Sequence, residues 1–98
     1  MPIVEFSVVP IGTGETSVST YVRAALKVIE ENDLDYEVNP MGTCVQGEWD
    51  EIFPTIKAIH EELAKMGCQR IVTTIKVDDR RDKYQAMDAK VAAVADQV

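Results

Sequence analysis

Glu48 supplies a carboxylate, Ser17 and Ser19 two hydroxyls, and Tyr36 a phenol, and each falls close to a boundary between a strand and a helix. Brought together on one lip, these groups would bind a small polar molecule through hydrogen bonds and ring contact. The same residue types have plainer uses: Ser17 caps a helix, Tyr36 packs and Glu48 is solvated. Caps and surface acids are common enough that residue types alone favour that assignment. The remaining reactive side chains form no constellation. His60 is the only histidine and sits in an apolar helical stripe near Ile56 and Leu63. No Ser, Cys or Asp is placed for it to activate, so a boundary histidine satisfied by a backbone carbonyl is expected. Cys44 and Cys68 are widely separated and make no CxxC, which excludes a recognisable zinc-ligand pattern and leaves two free thiols in a reducing compartment. Gly12-Thr13-Gly14-Glu15-Thr16-Ser17 lacks the third glycine of a dinucleotide loop, and no Gly-Lys-Ser/Thr follows to make a P-loop. No catalytic residue, metal ligand or cofactor is expected.

The elements that must position these residues are legible from periodicity. Residues 3 to 10 alternate, with Val4, Phe6 and Val8 on one face and Ile3, Glu5, Ser7 and Val9 on the other, which predicts a strand. Gly12 and Gly14 break it, Thr16 or Ser17 caps the next helix, and Val18, Tyr21, Val22, Ala25, Val28 and Ile29 form that helix's apolar stripe until Asn32-Asp33. Pro40-Met41-Gly42 ends a second strand and returns the chain into a third, Thr43 to Glu48. Asp50 is then the expected N-cap of a second helix from about Glu51 to Met66, with Pro54 in its first turn, Ile52, Phe53, Ile56, Ile59 and Leu63 buried, and Gly67 as its stop. Residues 69 to 78 alternate as a last strand, Ile71, Thr73, Ile75 and Val77 against Arg70, Val72, Thr74 and Lys76.

The order βαββαβ predicts an α+β, ferredoxin-like sandwich: two helices over one face of a four-stranded antiparallel sheet of order 4-1-3-2, plus a C-terminal helix from about Lys83. The first and third strands are expected to run parallel, which would set Pro10-Ile11-Gly12 beside Gly47-Glu48 and bring Ser17, Ser19, Asp50 and Tyr36 to that same end. In the last helix Tyr84, Met87, Val91, Val94 and Val98 make a heptad-spaced seam too short to stand alone in water, so it docks on its own domain or on a partner subunit.

The 98 residues make one domain, residues 1–98, with one core. A net charge of −7 argues against nucleic-acid binding, because the one basic cluster, Lys76, Arg80, Arg81 and Lys83, is interleaved with Asp78, Asp79 and Asp82. No apolar run is long enough to span a membrane and the N-terminus has no basic n-region, so a cytoplasmic location is expected.

Two families bear comparison. Val45-Gln46-Gly47 resembles the Val-Gln-Gly motif of acylphosphatases, but here it precedes the second helix and no arginine follows, so nothing would hold an acyl phosphate. The whole chain resembles the YkoF-like thiamine-binding family. The matching residues are Glu5-Phe6 with Pro10-Ile11-Gly12-Thr13, Ser17-Val18-Ser19 with Tyr21-Val22, then Tyr36, Pro40-Met41-Gly42-Thr43 and Gly47-Glu48-Trp49. They end at Arg70-Ile71 and Lys76-Val77-Asp78-Asp79-Arg80. The resemblance implies binding of thiamine or its hydroxymethylpyrimidine moiety without catalysis, and assembly as a homotetramer of paired dimers. It implies that Glu48 accepts from an aminopyrimidine, that Ser17, Ser19 or Thr43 bonds ring nitrogens, and that Tyr36 or Met41 stacks. Because Thr43 and Glu48 stand at opposite ends of one strand, a site using both would form across subunits. The rival from another class is an assembly protein whose open sheet face and last helix serve contacts alone.

Overall fold

In a computed structural model that describes residues 1–15, 18–82 and 86–95, the alternation of residues 3 to 10 becomes β1 (Ile3–Pro10) at the centre of the sheet. Its partners are β3 (Gly42–Gln46) on one side and β4 (Ile71–Asp78) on the other, with β2 (Asp35–Asn39) outside β3, so the order is β2-β3-β1-β4. This is the expected ferredoxin-like order. Cross-strand register assigns the faces: Val4 lies opposite Val45 and Val77, and Phe6 opposite Thr43 and Ile75. These residues point toward α1 (Ser19–Glu31) and α2 (Trp49–Lys65), whose Val28, Ile29, Ile52, Ile56, Ile59 and Leu63 complete the core.

One expectation about direction fails. β1 and β3 are antiparallel, Ile3 facing Gln46 and Phe6 facing Thr43. β2 is antiparallel to β3 as well, so the α1 crossover returns β2 parallel to β1 and the Pro40-Met41 turn reverses β3 between them. The end of β1 and the end of β3 therefore lie at opposite edges of the sheet.

The hairpin is also shorter than the strand it joins. Pairing between β1 and β3 stops at Phe6–Thr43, whereas β1 continues against β4 to Pro10–Ile71. Ser7, Val8 and Val9 thus have β4 on one side and no strand on the other. At the last pair the chains come very close: a Cβ on Gly42 would sit 3.0 Å from the Phe6 carbonyl oxygen, which is backbone and cannot swing aside. Glycine is favoured there by the closeness of the two chains.

α2 begins two residues earlier than expected, and its N-cap is Glu48, not Asp50. The Glu48 N–H donates to the Glu51 carboxylate at 3.0 Å, satisfying a donor at the helix start. Pro54 consequently falls in the second turn of the helix. His60 is satisfied by a side chain instead of a carbonyl: its Nε2 lies 2.5 Å from the Thr73 hydroxyl, joining α2 to β4.

The sheet's other face carries a polar row, Glu37, Cys44, Glu5 and Lys76, in register across all four strands. The neighbouring row contains Gln46, Ile3 and Asp78, and α3 (Met87–Ala95) is tied to it. The Met87 N–H donates to Gln46 Oε1 at 3.3 Å, and Lys90 pairs with Asp78. Val91 and Val94 remain 54% and 59% exposed, so the seam is not buried on its own domain at these positions. Thr16, Ser17, Lys83, Tyr84 and Val98, named above as caps, helix start or seam, lie outside the described residues. Among the described residues no helix is long and apolar enough to cross a membrane.

Two outcomes are expected. Gly42→Ala forces the hairpin off Phe6 and destabilises the fold by about 1–3 kcal/mol, a cost typical of overpacking, measured as a lowered urea midpoint. Cys44, half-buried, has its thiol pushed above its ordinary pKa by burial and then by the Glu5 carboxylate, partly offset by the Asn39 amide at 3.3 Å. Since only the thiolate is alkylated, iodoacetamide should modify Cys44 more slowly at neutral pH in the native protein than in urea, and faster as pH rises.

Candidate functional site

The retreat of the hairpin from β1 opens a cavity of 380 Å3. Its floor is β1 from Phe6 to Val9, one wall is the Val38–Thr43 hairpin, and the opposite wall is the first turns of α1, at Val18, Tyr21, Val22 and Ala25. The α1 stripe explains why it is apolar. Val28 and Ile29, in the helix's second half, meet the sheet and are buried, but Val18 and Val22 overhang the gap and stay 39% and 37% exposed. A stripe that would close a core over a longer hairpin here lines a void.

The polar groups in the lining are few. Thr43 is the principal one: it is buried, lies opposite Phe6 on the helix-facing side, and no hydrogen bond among the described residues occupies its hydroxyl. The Tyr21 phenol is raised above its ordinary pKa by desolvation, with the Cys68 thiol and the Glu15 carboxylate adding to the shift, so it stays a neutral donor. Met41 stands at the tip of the hairpin, 88% exposed. A lining of this kind, mostly apolar with Ser7, Tyr21, Thr43 and Asn39 as its polar members, suits a flat heteroaromatic ring.

The residues expected to share one lip divide between the two ends of the sheet. Met41 and Thr43 line the cavity, and Ser19 opens α1 at the same end without being part of the lining. Ser17 lies outside the described residues. Glu48 is at the other end: five residues of extended chain, about 17 Å, separate it from Thr43, and it serves α2 as N-cap. Tyr36, opposite Val45, donates to Glu30 Oε1 at 2.6 Å and is spent on tying β2 to α1. The antiparallel run of β1 and β3 is the physical reason for the division. Phe6, Val8, Tyr21 and Val22, by contrast, were legible only as core residues. The signal that could have found them is the length mismatch between an eight-residue β1 and a five-residue β3.

A second cavity, of 520 Å3, adjoins the first. It is lined by Ile11, Gly12, Thr13, Tyr21 and the Met66–Arg70 segment, and Tyr21 belongs to both. The two meet where β1 ends, and the Ile11 N–H donates to the Arg70 carbonyl at 2.8 Å.

Comparison with known proteins accords with this fold. The UPF0045 protein YqgV of Bacillus subtilis is 39% identical over 98 residues, covering 96% of this chain and 94% of its own. A crystal structure of a hypothetical protein of Methanocaldococcus jannaschii superposes with a TM-score of 0.87 at 36% identity, covering 96% of this chain and 95% of that one. A Thermotoga maritima structure, assigned provisionally to thiamine biosynthesis or salvage, superposes with a TM-score of 0.80 at 25% identity over 94% of this chain and 96% of its own. The profile of the Thiamine-binding protein family matches residues 4–95, nearly the whole chain, and the chain belongs to that family.

Proposed function

We propose that the chain is a non-catalytic binding protein for thiamine or its hydroxymethylpyrimidine moiety, and that the ring sits in the cavity between the hairpin and α1. The observation that carries the reading is the hydroxyl of the largely buried Thr43, without a partner among the described residues, in a mostly apolar cavity of 380 Å3 that Ser7, Tyr21 and Asn39 also line. A pocket of ~300 Å3 or more accommodates a small-molecule ligand. An aminopyrimidine offers ring nitrogens that accept and an exocyclic amine that donates, and a hydroxyl can meet either. Val18, Val22 and Phe6 supply apolar area, and the Met41 thioether at the rim is suited to the edge of an aromatic ring. Among the described residues the lining holds no histidine, cysteine or carboxylate, and the reading includes no chemical step. For thiamine itself, the net charge of −7 favours approach of the thiazolium cation.

The reading extends to a cytoplasmic homo-oligomer, with a dimer of dimers as its expected form. What supports association is apolar surface left uncovered by the chain's own helices: Val91 and Val94 on α3, and Ile75 and Val77 on β4. The same surface favours a second reading, an assembly protein with no small ligand.

Calorimetric titration with thiamine and with hydroxymethylpyrimidine decides between them. Saturable binding is expected, weakened about tenfold in Thr43→Val for the loss of one buried hydrogen bond and unchanged in Glu48→Ala. Binding lost in Glu48→Ala but intact in Thr43→Val would move the site to the far end of the sheet. A folded oligomer that evolves no heat with either ligand would leave the assembly reading standing.

A further inference from the structure

We propose that the second cavity is a phosphate subsite, so that the preferred ligand is a phosphate monoester of the pyrimidine alcohol, with its ring in the first cavity and its phosphate in the second. This rests on the pyrimidine reading of the first cavity and specifies the ligand's other half.

The two cavities are neighbours by construction. Val9 lines one and Ile11 the other, two residues apart on the same strand end, and the Tyr21 ring stands between them. Their chemistry differs sharply. The first is walled by valines, Phe6 and Met41, whereas the second is lined by Arg70, Gln69 and Thr13, whose hydroxyl donates to the Glu15 carbonyl at 3.3 Å. A single ligand that filled both would have an apolar ring at one end and a group wanting several donors at the other.

Arg70 decides the sign of that group. Four cations, Lys76, Arg80, Arg81 and Lys90, are paired with carboxylates; of the five described cations without an ion pair, Arg23, Lys27, Lys57, Lys65 and Arg70, Arg70 is the one that lines this cavity. Among the described residues no carboxylate pairs with Arg70, although this protein has 17 acidic residues against 10 basic ones. A guanidinium offers a planar fork of N–H donors that matches phosphate. Glu15, an exposed loop residue whose backbone N–H is held by Thr13 Oγ1 at 3.3 Å, is outside the cavity lining. Gly12 adopts φ +80°, a left-handed conformation that turns the chain into the cavity's edge. The net negative charge of the protein opposes an anion only at long range, where salt screens beyond about 8 Å at physiological ionic strength. Contact with Arg70 is not screened in that way.

The test is a calorimetric comparison of hydroxymethylpyrimidine with its monophosphate, on the full chain and on Arg70→Gln, with Arg23→Gln as a surface-charge control. Wild type should bind the monophosphate about tenfold more tightly, as one charge-assisted pair implies, and the advantage should shrink as salt is raised. Arg70→Gln should abolish the advantage while leaving affinity for the alcohol as it was; Arg23→Gln should change neither. Equal affinities in the wild type, or an advantage that survives Arg70→Gln, would overturn the phosphate subsite alone. Failure of both compounds to bind would overturn the pyrimidine reading, and the subsite with it.

Discussion

The approach of Gly42 to the Phe6 carbonyl is the contact on which the rest of this structure turns. It fixes where the β2–β3 hairpin ends along β1, and that position decides which part of β1 is paired on both sides and which part faces open space. Had the pairing run on to Val9, the Val18 and Val22 end of α1 would meet a strand. Because it stops at Phe6, the same apolar residues surround a cavity. The hairpin's termination therefore divides one continuous hydrophobic stripe into a half that closes the core and a half that lines a cavity, with no change in residue type to mark the division.

This explains which parts of the molecule could be read from residue types. The bounds of β1, the faces of β4 and the stops at Asp33 and Gly67 were legible because alternation and backbone conformation are local properties; Asp33 at φ 55° and Gly67 at φ 98° are left-handed as helix ends require. The α2 start was misplaced because aspartate is the stronger cap by type, whereas the extended backbone at Glu48, φ −80° and ψ 158°, makes that residue the cap. The site was misassembled for a different reason. Taking β1 and β3 as parallel placed Glu48 and Tyr36 beside Ser19, although a tight hairpin after a right-handed crossover already required the opposite direction. Met41 and Thr43 entered through family resemblance and do line the cavity. Tyr21 and Val22 were invisible as site residues, since periodicity reports that a face is apolar and not whether protein fills the space it looks into.

The two ends of the sheet have separate duties. At one end, Glu48, Glu51 and Tyr36 secure a helix start and a strand, and the rings of Trp49 and Phe53 stack on each other in the first turns of α2, with centroids 5.5 Å apart. At the other, Thr43 and Arg70 line the two cavities with no hydrogen-bond or ion-pair partner for their side chains among the described residues, and Tyr21 lines both. Family membership and fold do not distinguish these ends. The hydrogen-bond inventory does, because a group already used in holding the backbone together has little left to offer a ligand.

The central position of β1 has a consequence for how the chain acquires its structure. β1 pairs with residues 43–46 and 71–78, so its two edges are completed by segments that emerge much later than it does. Contacts of such wide sequence separation make folding slower than a helical chain of equal length would show. Until β4 arrives, Ile3–Pro10 is an apolar strand with an open edge, the kind of segment that seeks pairing with other chains. The cavity, framed by β1, the hairpin and α1, is therefore a late product of folding, assembled only once the most non-local strand of the protein has found its neighbours.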